Sequence, residues 1–249
     1  MAETLGDWLA QRPFALAMSS GFFSFFAHTG MLRTLTASRL APRAVAGSSA
    51  GALVGGAYAA GLPPTSLADR LERLRRAEFW DPALGAGLLA GRRFDAILRE
   101  MLPVTAIDAC HIPIKVSVFD IARRATSVIG DGDLAHAIRA SCAVPALFHP
   151  VRIGGRAYWD GGILDRPGLA GFAADERALF HHIASRSPWR RKLSVPRRRN
   201  MVTLVLDDLP RSGPFRLEAG RRALALAREA MQRALAAPIV DGLVRVAAR

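Results

Sequence analysis

The most constraining feature of this chain is a pentapeptide, Gly47-Ser48-Ser49-Ala50-Gly51, set between two apolar runs of different period. Residues 43–47 read as a short strand, and residues 50–60 as a small-residue helix stopped by Gly61-Leu62-Pro63-Pro64. A chain that passes from strand to helix through G-x-S-x-G must reverse tightly. Its glycines give room, and the central Ser49 takes a strained conformation that lifts its hydroxyl clear of the backbone. The helix that follows points its positive end back at the turn, which favours developing negative charge. The match alone is common in Gly- and Ser-rich turns. The strand-turn-helix context makes Ser49 a candidate nucleophile and Gly47 and Gly51 its supports.

The rest of the chain continues the alternation. Residues 14–20 read as a buried strand, 25–40 as a helix, and Thr65 as the cap of a helix through Leu67, Leu71 and Leu74. A helix is expected over 94–101. A β-branched strand over 112–120 is expected to pair with 125–129 across Ala122-Arg123-Arg124. A helix over 134–142 ends at the approach to Pro145. Residues 148–153 and 156–159 form a hairpin around Gly154-Gly155. Residues 202–206 read as a strand buried on both faces, and Leu217, Leu224, Met231 and Leu235 mark a final amphipathic helix. Strand and helix alternate most clearly in the first half, so the fold class is α/β with a mostly parallel central sheet. No internal repeat is present, and residues 1–249 read as one domain.

Composition narrows the classes. Apolar residues make up 51% and charged residues 22%, which excludes a disordered chain. Two cysteines, Cys110 and Cys142, are too few for a disulfide scaffold, so the expected compartment is reducing and cytoplasmic. No Cys/His cluster has zinc spacing, and neither a metal nor a cofactor is expected. Residues 13–32 carry no Asp, Glu, Lys or Arg, yet Ser19, Ser20, Gly21, Ser24, His28 and Gly30 argue against a membrane span. Glu3 and Asp7 in the first twelve residues argue against a signal peptide.

The net charge is +13, and of 34 basic residues only Lys115 and Lys192 are lysine. An Arg-rich coding bias accounts for this as well as an anionic partner does. The basic residues concentrate at Arg186, Arg190, Arg191, Lys192, Arg197, Arg198 and Arg199, with Pro188 and Trp189 among them. This run is either a solvated loop or a peripheral contact with an anionic membrane surface. A nucleic-acid-binding module would also account for the charge. No zinc finger, RNA-binding sheet motif or basic zipper accompanies it, so no specific nucleic-acid partner is expected.

Two further motifs join the first. Asp160-Gly161-Gly162 follows the strand at 156–159 and places a carboxylate in a tight loop. Ser19-Ser20-Gly21-Phe22-Phe23 ends the first strand where successive backbone N–H groups are free to bind an oxyanion. Together with Ala27-His28-Thr29-Gly30-Met31-Leu32 and residues 137–145, these motifs resemble the patatin-like phospholipase family in order and spacing over about residues 14–170. The resemblance implies a three-layer α/β/α fold with a mostly parallel central sheet. Residues 171–249 then hold a C-terminal strand, the basic loop and the final helix.

The resemblance also implies a lipid acyl hydrolase of phospholipase A or lysophospholipase type. Ser49 would attack the acyl carbonyl and Asp160 would take its proton, with Gly161 and Gly162 supporting the loop. The N–H groups of Gly21, Phe22 and Ala50 would form the oxyanion hole. The family's Gly-rich turn falls on Ser20-Gly21-Phe22-Phe23-Ser24-Phe25, where only Gly21 is kept and Ser24 replaces a basic residue. Phe22, Phe23, Phe25 and Phe26 make this mouth more apolar, unless some of the rings serve the core. Two alternatives stay open. One is a Ser-acid-His triad, since Ser49, Asp160 and His181 or His182 follow that chain order. The other is a catalytically weak protein that binds acyl chains or anions. The oligomeric state has no signal in the sequence.

Overall fold

Strand β1 (Ala15–Met18) is buried at every residue, so it belongs in the middle of a sheet covered on both faces. The computed structural model describes residues 3–184 and 195–248. Before β1 lies α1 (Leu5–Gln11); after it come α2 (Phe25–Ala37), β2 (Ala44–Ser48), α3 (Ala50–Ala59), α4 (Pro64–Arg73) and α5 (Arg76–Phe79). The middle of the chain forms β3 (Gly87–Leu89), α6 (Arg92–Met101), β4 (Ile114–Asp120), β5 (Ala125–Ile129), α7 (Leu134–Ser141) and β6 (Ala146–Phe148). The last part forms β7 (Val151–Ile153), β8 (Arg156–Asp160), a 3-10 turn (Gly161–Ile163), β9 (Ala178–His182), β10 (Met201–Asp207), α8 (Leu217–Leu235) and β11 (Leu243–Ala247).

The main sheet runs in the order β11-β10-β9-β1-β2-β4-β8-β7, with β5 also on β4. Every pair from β11 to β4 is parallel, and β5, β7 and β8 add an antiparallel end. The fold is therefore mixed α/β, with a central, mostly parallel sheet flanked by helices. One feature of β4 positions everything that follows. Its residues 114–117 pair with β2, and its residues 118–120 pair with β8. Strand β5 takes the opposite edge over 116–120. Strands β2 and β8 thus meet end to end along one edge of β4, and the residue after β2, Ser49, comes up against the last residue of β8, Asp160.

Leu16 and Met18 of β1, Leu179 of β9 and Val202 and Leu204 of β10 face the large core under the helices, with Phe26, Met31 and Met231. Each such side chain contributes about 1.5–3 kcal/mol of burial. Ala15, Ala17, Phe180 and Met201 face the opposite side, where Leu169 and Phe172 from the irregular stretch before β9 cover them. On the helical side, α2 and α8 approach closely. The Thr34 hydroxyl donates to Arg228 O at 2.8 Å, and a Cβ on Gly30 would lie 2.2 Å from Leu224 O.

Several expected elements are displaced. The helix expected from Thr65 begins at Pro64 with Pro63 before it, because proline suits a first helical turn whose N–H groups have no acceptor. Phe148 leaves the expected hairpin and pairs with β3 through β6. Strand β9 has no counterpart among the expected elements, because His181 and His182 interrupt its apolar run, yet both are buried within a central strand. Residues 13–32 divide between β1, a turn and the first half of α2. Among the described residues, no helix is long and apolar enough to cross a membrane. The basic run at 186–199 lies outside the described residues up to 194. At its described end Arg198 donates to the carbonyls of Phe172 and Ala173, both at 3.3 Å.

In an open helix, Gly→Ala stabilises by about 1 kcal/mol. At Gly30 the new methyl would meet backbone rather than a yielding side chain, so Gly30→Ala should instead cost about 1–3 kcal/mol. Urea unfolding of the two proteins reads the sign, and stabilisation would refute the close α2–α8 approach.

Candidate active site

Three loops converge beside the junction of β2 and β8. Ser49 has φ 53° and ψ −117°, immediately before α3. Such a conformation costs a non-glycine residue about 1–3 kcal/mol and persists only where the surroundings hold it. Gly51 lets α3 start against β1, since a Cβ there would lie 2.0 Å from Met18 O. Gly161 does the same at β4, where a Cβ would lie 2.2 Å from Ser117 O. Gly162 abuts the Ser20 hydroxyl, so the Asp160 loop and the turn at 19–24 also touch.

Asp160 is 5% exposed and Ser49 8%. The Oδ1 atom of Asp160 accepts from Gly162 N–H at 2.7 Å, while Oδ2 is buried with no hydrogen-bond partner. Burial pushes the Asp160 carboxyl up to about 6, against the opposing pull of the Ser49 hydroxyl and the Gly162 N–H. The Ser49 hydroxyl thus acts to hold the carboxyl's pKa down, while Oδ2 accepts no hydrogen bond. Catalytic hydrogen bonds often tighten only when substrate binds. At neutral pH the group is largely ionised and has one vacant oxygen, which equips it to receive a proton.

The turn at 21–24 closes with Ser24 N–H donating to Gly21 O at 3.0 Å, and Phe23 has φ 56°. Among the described residues, no backbone acceptor takes the N–H of Gly21 or Phe22. Ala50 is the first residue of α3, and the helix ladder leaves its N–H unused. Gly21, Phe22, Ala50 and Ser49 all line one cavity of about 100 Å³. Its walls are apolar, formed by Leu53, Leu71, Phe79, Leu98, Met101 and Phe148 among others, with Arg70 the charged exception and paired to Glu78 at 2.8 Å. Of the four phenylalanines near the turn, Phe26 is core, Phe23 and Phe25 line this cavity, and Phe22 is 53% exposed at its rim. A separate polar cleft on the other side of the turn carries Arg166 and Arg211 near Ser24, with Asp207 and Asp208.

The histidines are engaged elsewhere. His28 and His181 are fully buried, and their Nδ1 atoms lie 2.8 Å apart. His28 Nε2 lies 2.8 Å from Ser19 O, a partner that can only accept, so Nε2 carries the proton. His28 Nδ1 then accepts from His181. Neither His181 nor His182 bonds to Ser49 or Asp160 among the described residues. Burial holds His28 and His182 down at about 4 and His181 well below the usual range, so all three are neutral. For His28 and His182 this contributes stability that is full above pH 6.5 and lost as pH falls through about 4. Among the described residues, no group of three or more His, Cys, Asp or Glu side chains is placed to share a metal.

Two buried hydroxyls stand behind the site without having been singled out by the sequence. Ser141 Oγ accepts from Ser49 N–H at 2.8 Å, and the Ser117 hydroxyl donates to Asp165 at 2.6 Å. Ser141 falls in the segment 137–145 that joined the motif pattern, but nothing in the sequence tied it to Ser49. Asp165, which also accepts from the N–H groups of Leu169 and Ala170, had no signal beyond its distance of five residues from Asp160.

Residues 16–172 match the patatin-like phospholipase family. An uncharacterized NTE family protein of Mycobacterium tuberculosis is 34% identical over 154 residues, covering 61% of this chain and 43% of the relative. A second NTE family protein from the same species is 28% identical over 169 residues, covering 63% of this chain and 27% of the relative. The chain thus spans less than half the length of these curated relatives. Among solved structures, VipD from Legionella pneumophila superposes with a TM-score of 0.68 at 14% identity, over 90% of this chain and 67% of that one. The type III effector protein ExoU gives 0.52 at 16% identity, over 90% of this chain and 53% of that one. At these identities the likeness is one of fold.

The raised carboxyl has a thermodynamic signature. Its contribution to stability is full below pH 3.8, the unfolded value, and is lost as pH rises through about 6. Above that the ionised group costs about 3 kcal/mol. Asp160→Asn should therefore be more stable than wild type at pH 8, with the gap narrowing as pH falls toward 4. Thermal unfolding across that range measures it, and a gap independent of pH would mean that Asp160 ionises freely.

Proposed function

The chain belongs to the patatin-like phospholipase family, and on that premise we propose that it is a serine acyl-ester hydrolase of lipids, of phospholipase A or lysophospholipase type, acting through Ser49 and Asp160. The observation that carries this reading is the buried, unpartnered Oδ2 of Asp160 beside a strained serine that faces an apolar cavity.

In this mechanism Asp160 removes the Ser49 proton as Oγ bonds to the acyl carbonyl carbon. The carbonyl oxygen gains the negative charge and is received by the N–H groups of Gly21, Phe22 and Ala50, aided by the positive end of α3. Collapse breaks the ester C–O bond, and Asp160 returns the proton to the departing alcohol oxygen. Asp160 then deprotonates a water that attacks the acyl-serine, which releases the fatty acid and restores Ser49. The apolar cavity takes the acyl chain. No cofactor is needed. The triad alternative has less support, because His181 Nδ1 is engaged by His28 and His182 lies among Phe180, Arg166, Arg245 and Asp207.

A protein of this kind meets its substrate at a membrane. Phe22 is 53% exposed at the cavity rim, and Phe215 is 70% exposed with Arg76 stacked over it at 4.7 Å. Two exposed rings, one of them with a cation stacked on it, on a chain of net charge +13, support peripheral contact with an anionic membrane from the cytoplasmic side.

Ser49→Ala and Asp160→Asn should each lower ester turnover by about 10⁴-fold, and the double variant little further, since the pair acts as one unit. His182→Ala should stay within about tenfold of wild type. Fluorophosphonate labelling that persists in Ser49→Ala, or near-normal turnover by Asp160→Asn, would overturn the assignment.

The pH dependence of kcat/KM should show an acid limb near 6, where Asp160 takes up its proton. Co-sedimentation with anionic vesicles should fall on raising salt, and fall further in Phe215→Ser with Arg76→Ser. Equal binding to neutral and anionic vesicles would remove the electrostatic part of the membrane reading.

A further inference from the structure

The C-terminal end of α7 holds both members of the proposed pair. Ser49 N–H donates to Ser141 Oγ at 2.8 Å, and the Ser141 hydroxyl donates in turn to Ser117 O on β4 at 2.7 Å. Two residues on, Ala143 O accepts from Asp160 N–H at 2.9 Å. Between them, the Cys142 thiol lies against the Ser49 hydroxyl and within the field of the Asp160 carboxylate. Cys142 and Val144 also form part of the wall of the apolar cavity. Ser141 is fully buried and Ala143 nearly so.

We propose that residues 141–143 form a bracket that sets the separation of Ser49 from Asp160, with Ser141 as its positioning residue. The proposal rests on the dyad reading for its kinetic consequence. Its physical basis is independent of that reading. Ser49 stands at φ 53°, outside the ladder of α3, so its N–H has no acceptor of its own in the helix. The Ser141 hydroxyl is that acceptor, and its own proton is committed to Ser117 O, which fixes the hydroxyl's direction. A strained residue is kept strained by such over-determination. If the hydroxyl is removed, the N–H is left buried and unsatisfied, and Ser49 relaxes toward an ordinary backbone conformation. The Ser49 Oγ then swings away from Asp160. Asp160 itself stays in place through Ala143 O and Gly162 N–H.

The test compares Ser141→Ala with Ser141→Thr, which keeps the hydroxyl. With p-nitrophenyl butyrate as probe, Ser141→Ala should lose about 100-fold in kcat, the usual effect of misplacing a catalytic group by about 1 Å. Its KM should remain within about threefold of wild type, because the cavity walls are unchanged. Ser141→Thr should recover most of the loss. The acid limb near 6 should persist in both, since the burial of Asp160 is untouched. A Ser141→Ala variant that keeps more than half of wild-type kcat, or one that loses through KM alone, overturns the bracket.

A crystal structure of Ser141→Ala judges the proposal without turnover. Ser49 should leave the positive-φ region, and retention of φ near 53° would overturn the bracket whatever the kinetics. If wild-type protein hydrolyses no ester and is not labelled at Ser49, the dyad reading fails by itself, and the bracket still stands or falls on that structure.

Discussion

The site depends on a matter of strand length. Strand β4 outlasts β2 by enough residues to pair with a second, antiparallel strand along the same edge. Without that overhang the ends of β2 and β8 would not meet, and Ser49 and Asp160 would stand on separate parts of the sheet. Backbone hydrogen bonding at about 4.8 Å strand spacing is stiff, so the placement comes from the sheet and not from flexible side chains. The glycines at the junction follow from the same constraint. Gly51 and Gly161 sit where the backbones of β1 and β4 pass too close for any side chain.

Around this junction the buried polar groups divide into two kinds. One kind is fully committed: His28 to Ser19 and His181, Ser117 to Asp165, Ser141 to Ser49 and Ser117. These bonds stiffen the ends of β1, β2 and β4. The other kind is left open. Asp160 has one oxygen held and one bare, and it ionises at a cost that burial imposes. An unsatisfied buried carboxylate is a poor choice for stability and a suitable one for proton transfer, and native proteins tolerate such groups mainly at functional sites.

The turn after β1 departs most from the glycine-rich form of its family, yet the departure is local. The turn at 21–24, with Phe23 at positive φ, leaves the N–H groups of Gly21 and Phe22 without backbone acceptors among the described residues, even with bulky side chains attached. The added rings are placed where they are useful or harmless: Phe26 in the core, Phe23 and Phe25 in the cavity wall, Phe22 at the rim. Arg166 lines the polar cleft on the Ser24 side of the turn and donates to Ile183 O at 3.1 Å.

What the sequence determined by itself was local. The period of the apolar runs placed β1, β2, β4, α3 and α8 to within a few residues, because burial of one face or two leaves a pattern in the chain. The G-x-S-x-G turn marked Ser49, and the Asp-Gly-Gly loop marked Asp160, because tight turns demand particular residues. Strand β9 escaped this reading because two buried histidines, His181 and His182, interrupt its apolar run, and the partner of His181, His28, lies 153 positions away on α2. Ser141 and Asp165 escaped it as well, since a serine or aspartate carries no mark of the distant backbone it will bond. Contacts such as Ser49 to Ser141, separated by 92 positions, form only when the sheet brings the segments together. The vacancy at Asp160 Oδ2 and its raised pKa likewise belong to the tertiary structure, because desolvation is a property of what surrounds a group and not of the group's place in the chain.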